Sequence, residues 1–527
     1  MTEQRTAADP TRLETSRAGA STGHAVRRRA RRVDDRVPQL PPRLLHNPFP
    51  PLEVLSADQV ETIHEASLGI LRDVGVEVLG DRALDILRRA GAQVDRANRR
   101  VLLDPALTDE LVAHAPGRFR LHARNPAWSL EFGGDSLVFC AVGGPAFVTD
   151  TDRGRRAGTL ADVRDLTRLV QQLNILHQEG GGAVEPTDIP VPIRHLEMYR
   201  AFATLTDKTW QCLGFGRRPV GDAIEIVCLI RGITRDQLAR EPSVMTVINT
   251  NTPLRLDGPM SEGLVEMALH AQPVIATPFT LAGAMSPATL AGALTLQNAE
   301  ALFMIALAQA ARPGAPMVYG GFTSNVDMRT GSPAFGTPES VKSQLATGQL
   351  ARRYGVPWRS SNTTASAVVD AQAAYESEMS LWGCVLGGAN LVYHGAGWLE
   401  GGLTASFEKL VLDAELLQQI AEVLRPVVVD DAELGIDAIA EVGPGGHFFA
   451  SSHTLERYET AFYRPMLSDW RNFETWSDDG ARTATERANG IWKRLLAEYA
   501  PPPMDESVRE ALDAFVERRM GEIARDG

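Results

Sequence analysis

The sequence predicts an α/β protein: a TIM (β/α)8 barrel with an N-terminal α/β lobe and a C-terminal helical extension. Two observations support this prediction. Eight short apolar or β-branched runs recur between Val138 and Gly397, and each ends on small or polar residues. Each run is followed by a stretch with apolar residues at three- and four-residue spacing, and this alternation of strands and helices is typical of the barrel.

The eight runs are predicted to be parallel strands covered by helices on both faces, because their apolar content is nearly continuous. An open, doubly wound sheet is the alternative, and eight units without an order-reversing crossover favour a closed barrel. The runs are VFCAVGG ending at Gly144, ILHQEGGG at Gly182, WQCLGF at Phe215, SVMTVINTN at Asn251, PVIATPFTLAG at Gly283, PMVYGGFTS at Ser324, WRSSNTT at Thr364 and LVYHGAG at Gly397.

The stretches between the runs are predicted helices. Thr159 and Thr337 stand where N-caps are expected, and Pro338 suits the first turn of its helix. The predicted helices are Leu160–Gln172, Ile193–Thr204, Asp222–Ile230, Ser261–His270, Pro287–Gln309, Pro338–Arg353, Asp370–Leu386 and Ser406–Val423.

The chain divides into four predicted parts. Residues 1–44 lack apolar periodicity and are predicted to be a disordered arm that contains the basic run Arg27–Arg32. A twin-arginine export signal is disfavoured, because Asp34 and Asp35 stand where an apolar region should begin. Residues 45–132 are the predicted lobe, residues 133–425 the barrel, and residues 426–527 an extension that packs on the barrel.

Composition limits the classes of function. The chain has 527 residues, 44% hydrophobic and 23% charged, which suits an enzyme with an ample core. A net charge of −13 argues against general nucleic-acid binding, and apolar stretches such as Ala301–Ala311 are too short to span a membrane. Four scattered cysteines suit reduced thiols. We therefore expect a cytoplasmic protein without nucleic-acid or membrane partners, and one that can form a homo-oligomer.

Several segments together resemble a known family. They are NPFPPLEVLS with VETIHEASLGILRDVGVEV, Tyr319-Gly320-Gly321 ahead of TPES, DAQAAYE at Asp370–Glu376, HGAGWLEGGLTASFEKL, and GPGGHFF with SSHTLERY. This combination resembles the trimethylamine methyltransferase family over about residues 45–476. The resemblance implies a TIM-barrel enzyme that moves a methyl group from a methylated amine to the cobalt of a corrinoid. The corrinoid would be carried by a partner protein, and the chain would hold no tightly bound cofactor of its own.

One departure from the family changes the expected substrate. Members that use trimethylamine carry pyrrolysine near the end of the seventh barrel unit, whereas this chain has ordinary residues at Asp370–Glu376. The resemblance therefore favours the branch without pyrrolysine, whose type of substrate is a quaternary amine such as glycine betaine. A quaternary ammonium leaves as a neutral tertiary amine after losing a methyl group, so the reaction needs no general acid.

Aromatic residues at the strand ends are the expected binding groups, because aromatic faces hold a quaternary cation without hydrating it. Amides nearby can bind the polar end of the substrate without adding charge. The predicted substrate-binding residues are Phe215, Asn249, Phe279, Tyr319, Phe322, Trp358, Asn362, Tyr393 and Trp398.

His394 and Glu400 are the predicted catalytic residues. His394 stands at the mouth of the eighth strand, where it is expected to contact the substrate or the corrinoid and to titrate near neutrality. Glu400 offers a carboxylate to balance the ammonium charge, and Arg359 offers a charged clamp if it faces inward.

A glycine-rich turn in the C-terminal extension is the predicted cofactor contact. Its residues Gly445, Gly446 and His447 border a backbone that another surface can approach closely. A zinc site is the disfavoured alternative for Cys140, His177, Cys212 and His394, because no paired C-x-x-C spacing exists.

Two other functions stay open at this point. A binding or sensor protein would keep a quaternary-amine pocket without turnover. A barrel hydrolase or lyase of a small carboxylated amine would use Glu179, Asp370 or Glu400 with His394 as acid and base.

Overall fold

Eight parallel strands, taken in chain order, form the centre of the computed structural model, which describes residues 36–526. Every strand begins within one of the eight predicted runs or at most two residues ahead of it. The strands are β1 (Ser136–Ala141), β2 (Gln178–Glu179), β3 (Thr209–Trp210), β4 (Thr246–Ile248), β5 (Val274–Ala276), β6 (Met317–Gly320), β7 (Trp358–Ser361) and β8 (Leu391–Ala396).

The strands close into a barrel. Apart from β3 and β4, each strand pairs in parallel with its neighbours in the chain, and β8 returns to pair with β1. The last gap, between β3 and β4, is joined by a parallel bridge of Gln211 with Met245 and by a 2.9 Å hydrogen bond from the Cys212 amide to the Met245 carbonyl. The predicted barrel is therefore confirmed, and the open doubly wound alternative is wrong.

The predicted helices are present with ends shifted by a few residues. Side-chain caps fix several starts: Thr159 accepts from the Asp162 amide in a capping box, and Thr337 accepts from the Ser340 amide ahead of a first-turn proline. The helices are α1 (Leu160–Gln172), α2 (Val191–Leu205), α3 (Arg217–Arg231), α4 (Gly258–Leu269), α5 (Leu290–Ala311), α6 (Pro338–Tyr354), α7 (Ala371–Gly387) and α8 (Phe407–Val423).

A small hairpin plugs the N-terminal end of the barrel. Its strands, Phe119–Leu121 and Leu130–Phe132, pair antiparallel, and three of their side chains join the buried interior of the barrel. That interior consists of Val138, Cys140, Met245, Ile275, Val318, Leu391 and Tyr393 from the barrel and Leu121, Leu130 and Phe132 from the hairpin. A packed interior closed at this end leaves the C-terminal ends of the strands as the place for a site.

The N-terminal lobe packs beside the barrel and is tied to it by a strand pair. Arg255–Leu256, which follows β4, pairs in parallel with Val76–Val78 of the lobe. Ser56 caps the first lobe helix through a capping box with Gln59. The other lobe elements are the helices Ala57–Asp73, Asp81–Arg89 and Pro105–Ala113 and the strands Leu45–His46, Gln93–Asp95 and Arg100–Leu102.

The C-terminal part is helical and returns to the barrel at its end. Trp492 donates to Glu408 of α8 at 3.0 Å, and Arg519 donates to Asp222 of α3 at 2.8 Å. Because both bonds reach partly or fully buried carboxylates, the last two helices cover the outside of the barrel. The helices are Asp431–Leu434, Ile436–Val442, Ser452–Arg457, Phe473–Asp478, Ala484–Ala497 and Glu506–Asp526.

Residues 38–526 belong to one compact unit. The boundaries at 45, 133 and 426 stay predictions. The first 35 residues of the predicted disordered arm lie outside the described residues. Its last residues contact the barrel: Gln39 donates to the Gln172 carbonyl at 3.1 Å, and the Leu40 amide donates to Gln418 at 2.7 Å.

One helix within residues 36–526, α5, is long and apolar enough to cross a membrane, but 78% of the relevant window is buried inside the protein. It carries the buried polar residues Gln297, Asn298 and Glu300. These features are typical of a core helix in a folded domain.

Candidate functional site

A cavity opens at the C-terminal ends of the barrel strands, with an empty volume of about 850 Å³ including its mouth. All eight strands or the loops that follow them contribute to its wall. The lining residues are Gly143, Gly144, Gly180, Gly181, Glu185, Gln211, Cys212, Leu213, Gly214, Phe215, Thr246, Val247, Asn249, Met260, Thr277, Phe279, Phe322, Arg359, Tyr393, His394 and Trp398.

One side of the cavity is aromatic, and we call it the aromatic wall: Phe279, Phe322, Tyr393, His394 and Trp398. Short strands that continue β5 and β6 place Phe279 beside Phe322 in register, with ring centroids 5.1 Å apart. The Trp398 ring lies 5.9 Å from that of Phe322 and 4.2 Å from that of His394. Such converging ring faces form the kind of box that holds a quaternary ammonium group.

An irregularity in β8 turns two neighbouring rings toward the same cavity. The register with β1 shifts between Val392 and Ala396, and His394 adopts a left-handed backbone with φ 55°. Consecutive residues in a regular strand face opposite sides, but this bulge allows Tyr393 and His394 to share the cavity wall, with ring centroids 3.9 Å apart.

His394 is buried and uncharged. Burial and the nearby positive charge of Arg359 hold its pKa well below the ordinary value of 6.5, and a hydrogen bond with the Gly143 backbone acts in the opposite direction. Its Nδ1 lies 3.4 Å from the Ser361 hydroxyl. The expectation that His394 titrates near neutrality is wrong, because the bulge sinks the ring into the barrel mouth.

Arg359 supplies a positive charge at the floor of the cavity. It projects inward from β7, only 1% exposed, and its guanidinium lies 5.2 Å from the Phe322 ring centroid and 5.0 Å from that of Tyr393. Burial lowers its pKa to about 10, so the group is charged at neutral pH. Its Nε and Nη1 have no hydrogen-bond partner among the described residues.

The opposite side of the cavity is built from backbone, and we call it the glycine wall: Gly143, Gly144, Gly180 and Gly181. A Cβ on Gly143 would lie 2.0 Å from the Gly180 carbonyl oxygen and 2.5 Å from the Tyr393 hydroxyl, so the two loops touch. The Tyr393 hydroxyl donates to the Gly180 carbonyl at 2.7 Å. This bond links the glycine wall to the aromatic wall.

Glu179 holds the glycine wall from behind. Its carboxyl oxygens accept from the Gly181 and Gly182 amides at 2.7 and 3.1 Å, and complete burial raises its pKa to about 8. It lies outside the cavity lining, which removes the geometric basis for using it as an acid or base on a substrate there.

Six of the predicted substrate-binding residues line the cavity: Phe215, Asn249, Phe279, Phe322, Tyr393 and Trp398. Asn249 donates to the Thr277 carbonyl at 2.8 Å, and Phe215 is 53% exposed at the rim. Their roles in binding stay predictions, but the barrel brings them together as expected.

Tyr319 and Trp358 are not in the cavity, and the prediction that they face it is wrong. The Tyr319 hydroxyl donates to Asn298 of α5 at 2.8 Å, whereas Trp358 packs so closely on α7 that a Cβ on Gly387 would lie 2.7 Å from its ring. Both side chains point to the helices because their neighbours, Val318 and Arg359, face the interior.

Asn362 and Glu400 also lie away from the cavity lining, so they are not in place for the predicted binding and catalytic roles. Asn362 is fully buried and donates to the Gly395 carbonyl at 3.0 Å, bridging β7 and β8. Glu400 accepts from Arg155 at 2.9 Å and from Thr404 at 2.9 Å. Its charge is compensated by Arg155 on the outer surface, so it does not balance a cation in the cavity.

The glycine-rich turn contributes no residue to the cavity lining, so the predicted cofactor contact of Gly445, Gly446 and His447 is not part of this site. These residues are exposed in the stretch between α8 and the last helices. Their contact with a corrinoid stays a prediction.

The four residues of the disfavoured zinc alternative do not form a metal site. His177 accepts from the Phe139 amide at 2.9 Å on one ring nitrogen, and Cys212 lies 3.9 Å from the Met267 sulfur toward the helices. Within residues 36–526, no three His, Cys, Asp or Glu side chains are grouped so as to hold a metal ion.

Some features of the site were not predicted from the sequence. Phe335 does not line the cavity, but its ring lies behind the aromatic wall, 5.5 Å from that of Phe322 and 6.1 Å from that of Trp398. Gly143 and Gly180 were visible as the ends of predicted strands, in the runs VGG and EGGG, but nothing local showed that their backbones meet.

The fold and the site together define the class of protein. It is a (β/α)8 barrel with a cavity at the C-terminal ends of its strands, and that cavity combines an aromatic wall with the buried guanidinium of Arg359. The family model described as trimethylamine methyltransferase (MTTB) matches residues 21–524. The chain therefore belongs to the trimethylamine methyltransferase family, and it is a methyltransferase.

Individual relatives agree with this assignment. The chain is 37% identical over 479 residues to a glycine betaine methyltransferase from Desulfitobacterium hafniense strain Y51, covering 91% of this chain and 99% of that protein. It is 29% identical over 467 residues to the trimethylamine methyltransferase MttB of D. hafniense strain DSM 10664 / DCB-2, covering 88% and 93%.

A solved structure is more distant. The Methanosarcina barkeri monomethylamine methyltransferase (MtmB) aligns with 10% identity over 87% of this chain and 92% of that one, at a TM-score of 0.48.

Proposed function

We propose that this protein demethylates a small quaternary ammonium compound that carries a carboxylate, such as glycine betaine, and passes the methyl group to a corrinoid held by a partner protein. The observation that carries the proposal is the pairing of the aromatic wall with Arg359. The rings suit the ammonium group, and the guanidinium suits the carboxylate, so the two ends of one small zwitterion are matched in one cavity.

Arg359 makes the carboxylate the more specific part of the proposal. A buried charge without a hydrogen-bond partner is costly, and the cost falls when a ligand supplies an anion. The Arg359 guanidinium stands over the rings of Phe322 and Tyr393, and two of its nitrogens have no hydrogen-bond partner among the described residues. A substrate with no anionic group, such as trimethylamine, would leave this charge uncompensated.

The mouth of the cavity is compatible with approach of a corrinoid. Cβ atoms added at Gly144 and Gly216 would meet open space, and Phe215 at the rim is half exposed. A wall of bare backbone allows a large flat ring to come close to the cavity, as glycine does wherever a ligand approaches the backbone. When bound, the corrinoid supplies a nucleophilic cobalt that accepts the methyl group.

The chain's own residues bind, orient and dehydrate the substrate. Arg359 fixes the carboxylate at the floor, which turns the methyl groups toward the aromatic wall and the mouth. The rings of Phe322 and Trp398 replace water around the ammonium group. His394 stays neutral, and its ring lies 4.2 Å from that of Trp398, so it adds no charge that would repel the cation.

The test is a methyl-transfer assay with the full-length protein, Co(I) cobalamin or a corrinoid protein, and a panel of amines. The panel contains glycine betaine, carnitine, proline betaine, tetramethylammonium and trimethylamine, and methylated cobalamin is followed by its absorption spectrum. We expect carboxylated quaternary amines to react best, tetramethylammonium less well and trimethylamine least. Absence of methylation across the panel would overturn the proposal, and calorimetric binding of betaines in that case would favour the sensor alternative.

A further inference from the structure

The bulge in β8 interrupts the regular pairing of this strand in the buried part of the barrel. The register with β1 shifts between Val392 and Ala396, and both His394 and Gly397 have positive φ values, 55° and 102°. A bulge disrupts the hydrogen-bond ladder, and buried N–H and C=O groups then need partners from elsewhere. The side chains that supply those partners therefore help to fix the shape of the bulge.

Two polar side chains bind the backbone of this stretch from behind the cavity. Asn362, which follows β7, donates to the Gly395 carbonyl at 3.0 Å. Asp413 of α8 accepts from the Gly397 amide through Oδ2 at 2.9 Å. Gly397 directly precedes Trp398, so the second bond is one residue away from a ring of the aromatic wall.

Lys409 holds the Asp413 carboxylate in place. The two residues are four positions apart on α8, and both side chains are completely buried. The Lys409 ammonium donates to Asp413 Oδ1 and, at 2.6 Å, to the Ser377 hydroxyl of α7. Because one carboxylate oxygen is bound by Lys409 and the other by the Gly397 amide, the orientation of the carboxylate is fixed. We call Asn362, Lys409 and Asp413 the buried network.

Stability alone is a weak explanation for a charged pair at this depth. Burial raises the pKa of Asp413 and lowers that of Lys409, and the contact between the two groups acts in the opposite direction on both. A buried ion pair often stabilises a protein no more than apolar side chains of similar volume would. What apolar side chains would not supply is an acceptor for the Gly397 amide.

The Trp398 ring has little room to move by itself. Its Nε1 donates to the Thr364 carbonyl at 3.2 Å, and a Cβ on Gly402 would lie 2.5 Å from the ring. On another side the His394 ring is 4.2 Å away. Because the ring fits between these neighbours, a change in the backbone at Gly397 would alter its contacts.

We propose that the buried network positions the aromatic wall, holding the β8 bulge so that the His394 and Trp398 rings stand where they enclose the ammonium group. The inference rests on the proposed function, since the position of the rings matters for catalysis only if a quaternary amine binds between them. Arg359 belongs to β7 and has no part in the network. Loss of the network should therefore weaken the binding of quaternary amines with and without a carboxylate to the same extent.

The experiment compares two double variants of the full-length protein that differ in one hydrogen-bond acceptor. Lys409→Met/Asp413→Leu removes both charges and the acceptor for the Gly397 amide, whereas Lys409→Met/Asp413→Asn removes the charges and keeps an acceptor. The first should raise KM at least about tenfold for glycine betaine and for tetramethylammonium alike, which is the size of one lost cation–π contact. The second should return both KM values to within about threefold of the unmodified protein.

Fluorine NMR of protein labelled with 5-fluorotryptophan follows the ring without any substrate. The Trp398 signal, assigned with Trp398→Phe, should shift or broaden in the Leu-containing double variant and return in the Asn-containing one. The signal of Trp128, in the turn of the hairpin that plugs the other end of the barrel, should stay unchanged in both. If the unmodified protein methylates no cobalamin, the proposed function fails, while the fluorine spectra still test the positioning of the ring.

A second buried lysine provides the matched control. Lys208 is 1% exposed, and its ammonium donates at 2.7, 2.9 and 2.7 Å to the carbonyls of Val170, Leu173 and Leu176 at the end of α1. Lys208→Met should lower the melting temperature, because these carbonyls lose their donor, but it should leave KM and the Trp398 signal unchanged. A role of the buried network in stability alone would give the same pattern for both sets of variants.

Asn362→Leu tests the other contact with the bulge and leaves no charge unpaired, so it replaces the Leu-containing double variant if that variant does not fold. It should also raise KM for both amines and shift the Trp398 signal. Unchanged KM values with an unchanged Trp398 signal in these Leu-containing variants would overturn the proposal. Equal losses in the two double variants would overturn it as well, because the acceptor for the Gly397 amide would then have no effect.

Discussion

The two walls of the cavity are made by opposite strategies. The aromatic wall uses large side chains from β5, β6 and β8, whereas the glycine wall has no side chains and is shaped by carbonyl contacts between the loops after β1 and β2. The first wall supplies binding energy through ring faces, and the second supplies room for close approach. Arg359 lies between the two walls. In the proposed complex it binds the carboxylate end of the substrate, so that the methylated end faces the rings.

The largest effect is expected from removing the charge between the walls. Arg359→Met should lower kcat/KM for glycine betaine by roughly a hundredfold or more, because the carboxylate loses its only charged partner in the cavity wall of the described chain. Activity on tetramethylammonium should change by less than about threefold. The control Arg352→Met removes a guanidinium of α6 outside the cavity and should leave both rates unchanged. Equal losses on both substrates would contradict a carboxylate clamp.

The glycine wall is broken by one methyl group. Gly143→Ala should destabilise the protein by about 2 to 3 kcal/mol, because the added Cβ meets the Gly180 carbonyl and the Tyr393 hydroxyl. Gly221→Ala in α3, where a Cβ meets nothing within 4 Å, should instead stabilise by up to about 1 kcal/mol. Urea unfolding of both variants measures the difference, and similar free energies of unfolding would show that the two loops do not touch.

The aromatic wall is tested by shape-conserving removal of a ring face. Phe322→Leu should raise KM for quaternary amines by roughly tenfold, which corresponds to the loss of one desolvated cation–π contact. Phe335→Leu removes a ring behind that wall and should have a smaller effect on KM, since Phe335 does not line the cavity. An unchanged KM for Phe322→Leu would argue that the substrate cation binds elsewhere.

The carboxyl group behind the glycine wall predicts a pH dependence of stability. Burial raises the pKa of Glu179 from 4.5 to about 8, so the folded state holds a proton that the unfolded state has released. The stabilising contribution is complete below about pH 4.5 and is lost as the pH rises through about 8. Between pH 6.5 and 7.5 the loss should be about 1 kcal/mol. Glu179→Gln keeps a neutral acceptor for the glycine amides and should show a flatter profile.

The smallest expected effect concerns His394, whose titration should not change the pH dependence of methyl transfer near neutrality. Because burial and Arg359 hold the pKa of His394 well below 6.5, methyl transfer should show no histidine inflection between pH 6 and pH 8. The His394→Asn variant tolerates the left-handed backbone and should give a profile of the same shape. An inflection near pH 6.5 that disappears in this variant would return His394 to the role of a titrating group.

Local sequence patterns were sufficient to predict the barrel but not the hairpin that plugs its N-terminal end. Continuous apolar runs and capped amphipathic stretches repeat eight times, and each repeat is a short-range signal that one segment carries by itself. The hairpin Phe119–Leu121 with Leu130–Phe132 was not foreseen, because its residues look like any short strand pair until they enter the barrel interior.

Only part of the site could be predicted from the sequence. Because the sequence showed where the strands end, it correctly predicted that Phe279, Phe322 and Trp398 lie in one cavity. The sequence did not show which residues of a strand face the barrel interior, because all residues of these strands are apolar or buried. Tyr319 and Trp358 were therefore predicted to face the cavity, but they face the helices. In β8, successive side chains do not alternate between the interior and the helices, because the bulge places both Tyr393 and His394 in the cavity wall.

The sequence by itself determined the order of strands and helices, the end of the barrel that carries the site, and the aromatic character of that site, because these follow from periodicity along the chain. Only the tertiary structure decided which residues of each strand face inward, that the Arg359 guanidinium stands against ring faces, and that Gly143 and Gly180 touch. Those facts depend on contacts between segments far apart in the chain, and strand register and closure set them.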